Sequence, residues 1–318
     1  MKIHGETSQT PRKKTKTCCG YDDSMDARDV CDSLGIPFYH MDLRTAFQKA
    51  VKDNFVQTYL KGQTPNPCVQ CNGILKFRVL LQRAKALGCT KLATGHYARV
   101  DAEGCLYEAH DLNKDQTYFL HPVTRQALQQ TLFPLGDLTK AEVRAHAREK
   151  GFVTADKPES QEVCFLPQGK HHEYIAQVTG EDGRGDFVSV EGDVLGQHSG
   201  YYRYTIGQRK GIGIASSSPL YVLSIDPDTH QVTVGDPQYL YQSEFEVTDL
   251  NWFTKDLPEI AEVRTRHRGE KVSARLSHHG DIVRVQSLQP IRGLTRGQSA
   301  VFYDRNRVLG GGYISRVV

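Results

Sequence analysis

The chain has 318 residues, 38% of them hydrophobic, and a formal net charge of +3. That length predicts about two domains, or three small ones, with an ordinary globular core. No apolar run approaches the roughly 18 residues of a membrane helix, and the polar opening MKIHGETSQTPRKKTKTCC has no apolar signal-peptide centre; a cytoplasmic protein with no membrane partner is expected.

The first half alternates helix and strand signals. SMDARDVCDSLG (24–35) reads as a helix closed by Gly35, and IPFYHMDL (36–43) as a strand. TAFQKAVKDNFVQTYLKG (45–62) repeats Phe47, Val51, Phe55 and Tyr59 at helical spacing. Next comes TPNPCVQCN (64–72), a proline-stiffened loop with Cys68 and Cys71 in a C-x-x-C spacing. A structural disulfide, a metal site and sulfur chemistry are all open to it. FRVLLQRAKALG (77–88) is a further helix, and KLATGHYARV (91–100) a short strand running into Gly-His. Ligands of open α/β sheets bind at the carboxyl ends of strands. There Gly95 would admit a ligand to the backbone and His96 would face the crevice, against the alternative of a structural histidine.

NKDQTYFL (113–120) groups Lys114, Asp115 and Gln116 at a polar helix start, and TKAE (139–142) is a capping box. KPESQEVCFLPQG (157–169) holds Cys164, either a core cysteine or a thiol facing Cys71. Strands separated by helices imply a parallel sheet. After about residue 180 helix signals give way to short alternating runs such as YVLSID, QVTVG, DIVRVQSL and SAVFYD, the pattern of a small mixed module followed by a barrel. YTIGQRKGIGI (204–214) reads as a tight hairpin.

All eight cysteines lie in the first 164 residues, which favours metal or catalytic use of some over a secreted disulfide framework. Cys31, Cys89 and Cys105 have apolar neighbours and read as buried. The charge is uneven: residues 251–318 hold twelve Lys/Arg against six Asp/Glu. Its densest part, VRTRHRGEKVSAR (263–275), reads as a basic strand face, either a solvated edge or a phosphate-tracking surface for nucleic acid.

Taken in order, TPNPCVQCN, ATGHYARV, KDQTYFL, KPESQEVCF, YTIGQRKGIGI, GQSAVFYD and LGGGYI closely resemble the tRNA-specific 2-thiouridylases of the MnmA/TrmU family. The resemblance runs from about Cys18 to the C-terminus. It implies an α/β PP-loop (adenine nucleotide α-hydrolase-like) domain with a parallel sheet over 1–167, a small central domain over 168–246 and a tRNA-binding C-terminal β-barrel over 247–318. It also implies ATP-dependent 2-thiolation of the tRNA wobble uridine, ATP with magnesium activating the C2 oxygen and a cysteine persulfide bringing the sulfur.

Carried over by motif, Cys164 is the persulfide cysteine and Cys71 the nucleophile, the two forming a transient disulfide. Asn66, Pro67 and Cys68 would contact the target base, and Met1 and Gly95 the ATP. His96, Lys114, Asp115, Gln116, Arg266, His267 and Gln298 would contact tRNA. The implied partners are tRNA and a persulfide donor, either a cysteine desulfurase or a sulfur-relay protein.

Two departures stand against the family pattern. Cys68 occupies a position that is Asp in some members, which leaves the general base unassigned. With Cys71 and Cys164 it makes three thiols that could hold an iron–sulfur cluster. The SGGVDS-type phosphate loop, whose backbone N–H groups would cradle ATP, does not occur in the sequence. A reading frame started at an internal methionine, with about 35–40 residues (one β-α-β unit) before it, is the expectation. The competing readings are a degenerate tRNA-binding remnant without ATPase activity, and a metal or iron–sulfur protein using Cys18, Cys19, Cys68 and Cys71.

Overall fold

The computed structural model describes residues 21–157, 163–166, 171–180 and 182–318. A helix, Tyr21–Leu34, opens them and stops at Gly35, whose φ of +63° suits glycine. Residues 44–60 form one rod from the stretches Arg44–Phe47, Gln48–Asp53 and Asn54–Leu60. Its Phe47, Val51, Phe55 and Tyr59 are all buried, as their spacing predicts. A second rod, 67–86, runs through Pro67–Gln70, Cys71–Leu80 and Leu81–Ala86. Asn66 caps it, its side chain accepting from the Val69 N–H at 3.4 Å, and Pro67 occupies the first turn, where no N–H is needed.

The strands are β1 Leu92–Ala93, β2 Arg99–Val100, β3 Leu106–Tyr107, β4 Thr131–Leu132, β5 Gly185–Val188, β6 Val194–His198 and β7 Tyr221–Asp226. They continue as β8 Gln231–Gly235, β9 Tyr241–Trp252, β10 Ile260–Arg264, β11 Val272–His279, β12 Ile282–Arg292, β13 Ser299–Asp304 and β14 Arg307–Val317. Among the described residues the parallel sheet of the first domain is the pair β1–β4, Leu92 opposite Thr131. The central domain is a four-stranded sheet, order β6-β5-β8-β7, with the helix His171–Thr179. The C-terminal sheet runs β13-β10-β11-β12-β9-β14, and a β13–β14 pairing closes it into a six-stranded barrel. Along β12, Val283 and Val285 point in while their neighbours are exposed, the period-2 pattern of a half-buried strand. Closure brings backbones close: a Cβ on Gly312 would lie 2.4 Å from the Thr248 carbonyl, so LGGGYI needs its glycine there.

Two features lock the domains together. The hairpin β2–β3 of the first domain extends the barrel sheet by pairing β3 with β14, Tyr107 opposite Arg307. The cores are also shared: Phe47, Phe55 and Leu75 join Phe187, Val222 and Val232 of the central sheet in one cluster. Phe77, Tyr118 and Leu128 join Val301, Tyr303 and Val308 of the barrel in another. The 67–86 rod therefore has Leu75 in one core and Phe77 and Leu81 in the other.

Four local expectations are corrected. IPFYHMDL is not a strand beyond an isolated bridge at Asp42; Ile36 and Tyr39 are exposed, and strand pairing needs a neighbour that local pattern does not reveal. Cys89 is exposed rather than buried, because it follows the turn at Gly88, and Cys31 is half-buried; only Cys105 is buried as expected. Residues 263–275 are not one strand but the end of β10, a turn and the start of β11, so their basic side chains point different ways. YTIGQRKGIGI is a loop rather than a hairpin, pinned where Gly207 and Gln208 exchange backbone bonds with Val222.

Candidate functional site

The cysteine loop is held from below by its own helix. Pro65, Pro67 and Val69 are buried, Cys68 is exposed and Cys71 is half-buried. Cys71 and Cys164, 93 positions apart in the chain, border the same apolar cluster. Phe165 explains how: its ring packs edge-on against Phe47 at 5.7 Å, Phe55 at 5.3 Å and Tyr174 at 5.8 Å. Inserted between the 44–60 rod and the 171–179 helix, it anchors the short Val163–Leu166 segment to the cluster that Cys71 also borders.

Beside Cys71, Asn72 is 3% exposed. Its amide donates to the Phe119 carbonyl at 3.2 Å, so its oxygen faces His96 Nε2, also at 3.2 Å. His96 Nδ1 then accepts from the Thr94 hydroxyl at 2.8 Å. Burial holds this imidazole down at about 3, and the Lys76 ammonium 3.4 Å from Nε2 pushes the same way. His96 is thus a neutral, hydrogen-bonded residue that ties the end of β1 to the cysteine helix. Gly95 is exposed just beyond β1, and an added Cβ would meet only Leu135 Cδ1 at 3.7 Å. The backbone there is open to a ligand, which fits an adenine nucleotide at the carboxyl end of a parallel strand.

The 114–116 triplet divides. Lys114 is half-buried, whereas Gln116 is bound to Tyr97 both ways, by its N–H to the Tyr97 carbonyl at 2.9 Å and by its side-chain oxygen from the Tyr97 N–H at 3.0 Å. Asp115 is 4% exposed and faces inward. It accepts from the Ala109 N–H at 3.1 Å and the Thr117 hydroxyl at 2.7 Å, and pairs with Arg264 at 3.4 Å. Arg264 also pairs with Glu108 at 3.2 Å, Glu108 with Lys271 at 3.1 Å, and both cations lie over the Tyr303 ring. This buried network joins the first domain to the barrel, and nothing in the spacing of Glu108, Arg264 and Lys271 announces it. A cavity of about 670 Å³ opens beside it, lined in part by Glu108, Lys271 and Tyr303.

In the barrel turn, Arg266 donates to the Gly293 carbonyl at 2.6 Å. His267 packs against Phe119 with centroids 4.4 Å apart and the rings tilted by 38°, its Nδ1 without a hydrogen-bond partner among the described residues. Burial lowers its pKa, helped by the charges of Arg268 and Arg264. Gln298 is half-buried, and its amide donates to the Thr64 and Pro65 carbonyls, each at 3.1 Å. Met1, Cys18 and Cys19 lie outside the described residues. Among the described residues no three His, Cys, Asp or Glu side chains are placed to hold a metal ion.

Three family descriptions match in series: tRNA methyl transferase HUP domain over 1–168, tRNA methyl transferase PRC-barrel domain over 172–236 and aminomethyltransferase beta-barrel domain over 242–314. The tRNA-specific 2-thiouridylase MnmA of Geotalea uraniireducens is 45% identical over 96% of this chain and 84% of its own. This chain belongs to the tRNA-specific 2-thiouridylase family. The MnmA proteins of Carboxydothermus hydrogenoformans and Rickettsia typhi are each 44% identical, covering 94% and 95% of this chain and 85% and 87% of their own. Membership accounts for the observed HUP, central and barrel domains, and at family level for action on tRNA. No helix among the described residues of this thiouridylase-family chain is long and apolar enough to cross a membrane.

Proposed function

We propose that this chain is an ATP-dependent sulfurtransferase that places sulfur at C2 of the wobble uridine of tRNA, with Cys164 as persulfide carrier and Cys71 as nucleophile. The observation that carries this reading is the presence of both cysteines on one apolar cluster, Cys71 in the first turns of the 67–86 rod and Cys164 in the short segment anchored by Phe165. Two of the family descriptions say methyl transferase. A pair of thiols on one cluster favours sulfur transfer, since methyl transfer has no need of it.

ATP, with magnesium as counter-ion, would supply activation of the C2 oxygen as a leaving group, with Gly95 lining its site. The chain's own residues do the rest. A persulfide donor, such as a cysteine desulfurase or a sulfur-relay protein, leaves Cys164 as Cys–S–SH. Its outer sulfur bonds to C2 as the activated oxygen departs. The Cys71 thiolate attacks Cys164 Sγ, the S–S bond breaks, and that electron pair stays with the sulfur on the base. Two thiols become a Cys71–Cys164 disulfide, balancing the reduction of the sulfane sulfur, and an external thiol resets them.

Asn66, Pro67 and exposed Cys68 form the rim that meets the unpaired base. Lys114, Arg266 and His267 offer the tRNA contacts. Asp115, Gln116 and His96 hold that surface in place through the bonds described above. The test is to incubate the protein purified from its native cell with unmodified tRNA, ATP and a persulfide donor, and to digest the tRNA for mass analysis. A nucleoside heavier by the exchange of oxygen for sulfur, at the wobble position only, is expected. Unchanged tRNA with a competent donor present would refute the assignment.

A further inference from the structure

The turn 295–298 of the barrel reaches across to the cysteine loop. Gln298 has two amide N–H groups, and both are committed, one to the Thr64 carbonyl and one to the Pro65 carbonyl at 3.1 Å each. The Thr64 N–H returns a bond to the Arg296 carbonyl at 3.0 Å. Gly297, at φ +85°, lets the two backbones meet: a Cβ there would lie 3.0 Å from the Thr64 carbonyl and 3.1 Å from Gln63. Six residues on, Gln70 donates to the Tyr313 hydroxyl at 3.0 Å, a second link to the barrel directly before Cys71. Gln298 is itself fixed, its N–H donating to Thr295 and its carbonyl accepting from Ile314.

We propose that Gln298 is a positioning residue for the cysteine loop: the barrel turn grips the Thr64 and Pro65 carbonyls and so sets where Cys71 stands for sulfur transfer. This rests on Cys71 being the nucleophile. The two prolines make the grip effective. They remove two N–H groups and stiffen the segment, so a hold on its first carbonyls is passed to the helix start at Pro67 instead of being absorbed by backbone rotation. With its donors facing inward, Gln298 offers tRNA only its carbonyl oxygen. Its effect on the reaction is therefore a matter of rate more than of tRNA affinity.

The test uses the full chain with Gln298→Met, which keeps the volume and removes the donors, and Gln298→Glu, which puts oxygen against two carbonyls. Two readouts are taken: steady-state thiolation over a range of tRNA concentrations, and amide hydrogen exchange. A fall in kcat of about 10- to 100-fold with KM for tRNA within about threefold is expected. Exchange is expected to speed up across 60–72 while β13 stays protected, which separates a loosened loop from a misfolded barrel.

A raised KM with unchanged kcat would make Gln298 a tRNA contact and overturn the proposal. Unchanged exchange across 60–72 would overturn it as well. If the wild-type chain does not thiolate tRNA, the enzymatic reading fails. The exchange arm then decides the grip alone, faster exchange supporting it and unchanged exchange refuting it.

Discussion

Cys71→Ser and Cys164→Ser each remove one of the two thiols that border the shared cluster. Each is expected to abolish 2-thiolation while tRNA affinity, measured by filter binding, stays within about twofold, because neither side chain carries the charge that holds phosphate. Retained thiolation in either variant would refute the roles given to them. The residue next door is expected to matter through packing. Phe165 is 8% exposed and rings with Phe47, Phe55 and Tyr174, so Phe165→Ala should cost about 3 kcal/mol in urea unfolding and release the Cys164 segment. His96 shows how one residue can be read two ways: T-G-H at a strand end suits a ligand contact, yet the imidazole is buried and bonded to Asn72 and Thr94.

Among the elements, the 67–86 rod and the β10–β11 hairpin decide most. The rod has apolar residues in two cores, so the helix that starts at the cysteine loop moves only if two domains move. Its start is capped by Asn66; Asn66→Ala removes the side-chain acceptor of the Val69 N–H, leaving it the Asn66 carbonyl at 3.1 Å, and is expected to cost about 1 kcal/mol. The hairpin depends on Arg264, which serves two carboxylates whose side chains are 5% and 2% exposed. Arg264→Met would leave Asp115 without its cation and Glu108 with Lys271 alone. A loss of about 3–5 kcal/mol is expected, because an uncompensated buried charge costs more than the pair contributes. Adding Asp115→Asn should recover part of it, and full additivity of the two changes would show that they are not coupled.

At the scale of the whole molecule, the shared cores and the β3–β14 pairing predict one cooperative unfolding transition, not three. Its pH dependence has a definite sign. Burial holds His96 and His121 at about 3, below the ordinary histidine value of 6.5. Above 6.5 neither state binds the proton, and their stabilising contribution is complete. As pH falls below 6.5 the unfolded chain takes up protons that the folded chain refuses, so stability is lost progressively toward pH 3. The loss is roughly 1 kcal/mol per histidine at pH 5.5. His121 donates or accepts at Ser299 across the domain–barrel boundary at 2.9 Å. Urea unfolding at pH 7.5 and 5.5 should show the drop, and His121→Gln should reduce it by roughly 1 kcal/mol. An equal drop in the variant would remove His121 from the account.

The sequence by itself determined the helices, the barrel and the candidate thiols. Phe47, Val51, Phe55 and Tyr59 repeat at the helical period, Val283 and Val285 at the strand period, and Thr139 with Glu142 forms its capping box, because these are local preferences of backbone and side chain. The ordered motifs likewise named Cys71 and Cys164. Tertiary structure alone decided what those residues touch. IPFYHMDL has strand composition but no extended pairing, VRTRHRGEKVSAR bends at a turn, Asp115 faces Arg264, and Gln298 turns inward to Thr64 and Pro65. Each of these depends on groups distant in the chain, Asp115 and Arg264 by 149 positions and Gln298 and Thr64 by 234. Burial, ion pairing and strand pairing are properties of such meetings, and a local pattern of residue types does not contain them.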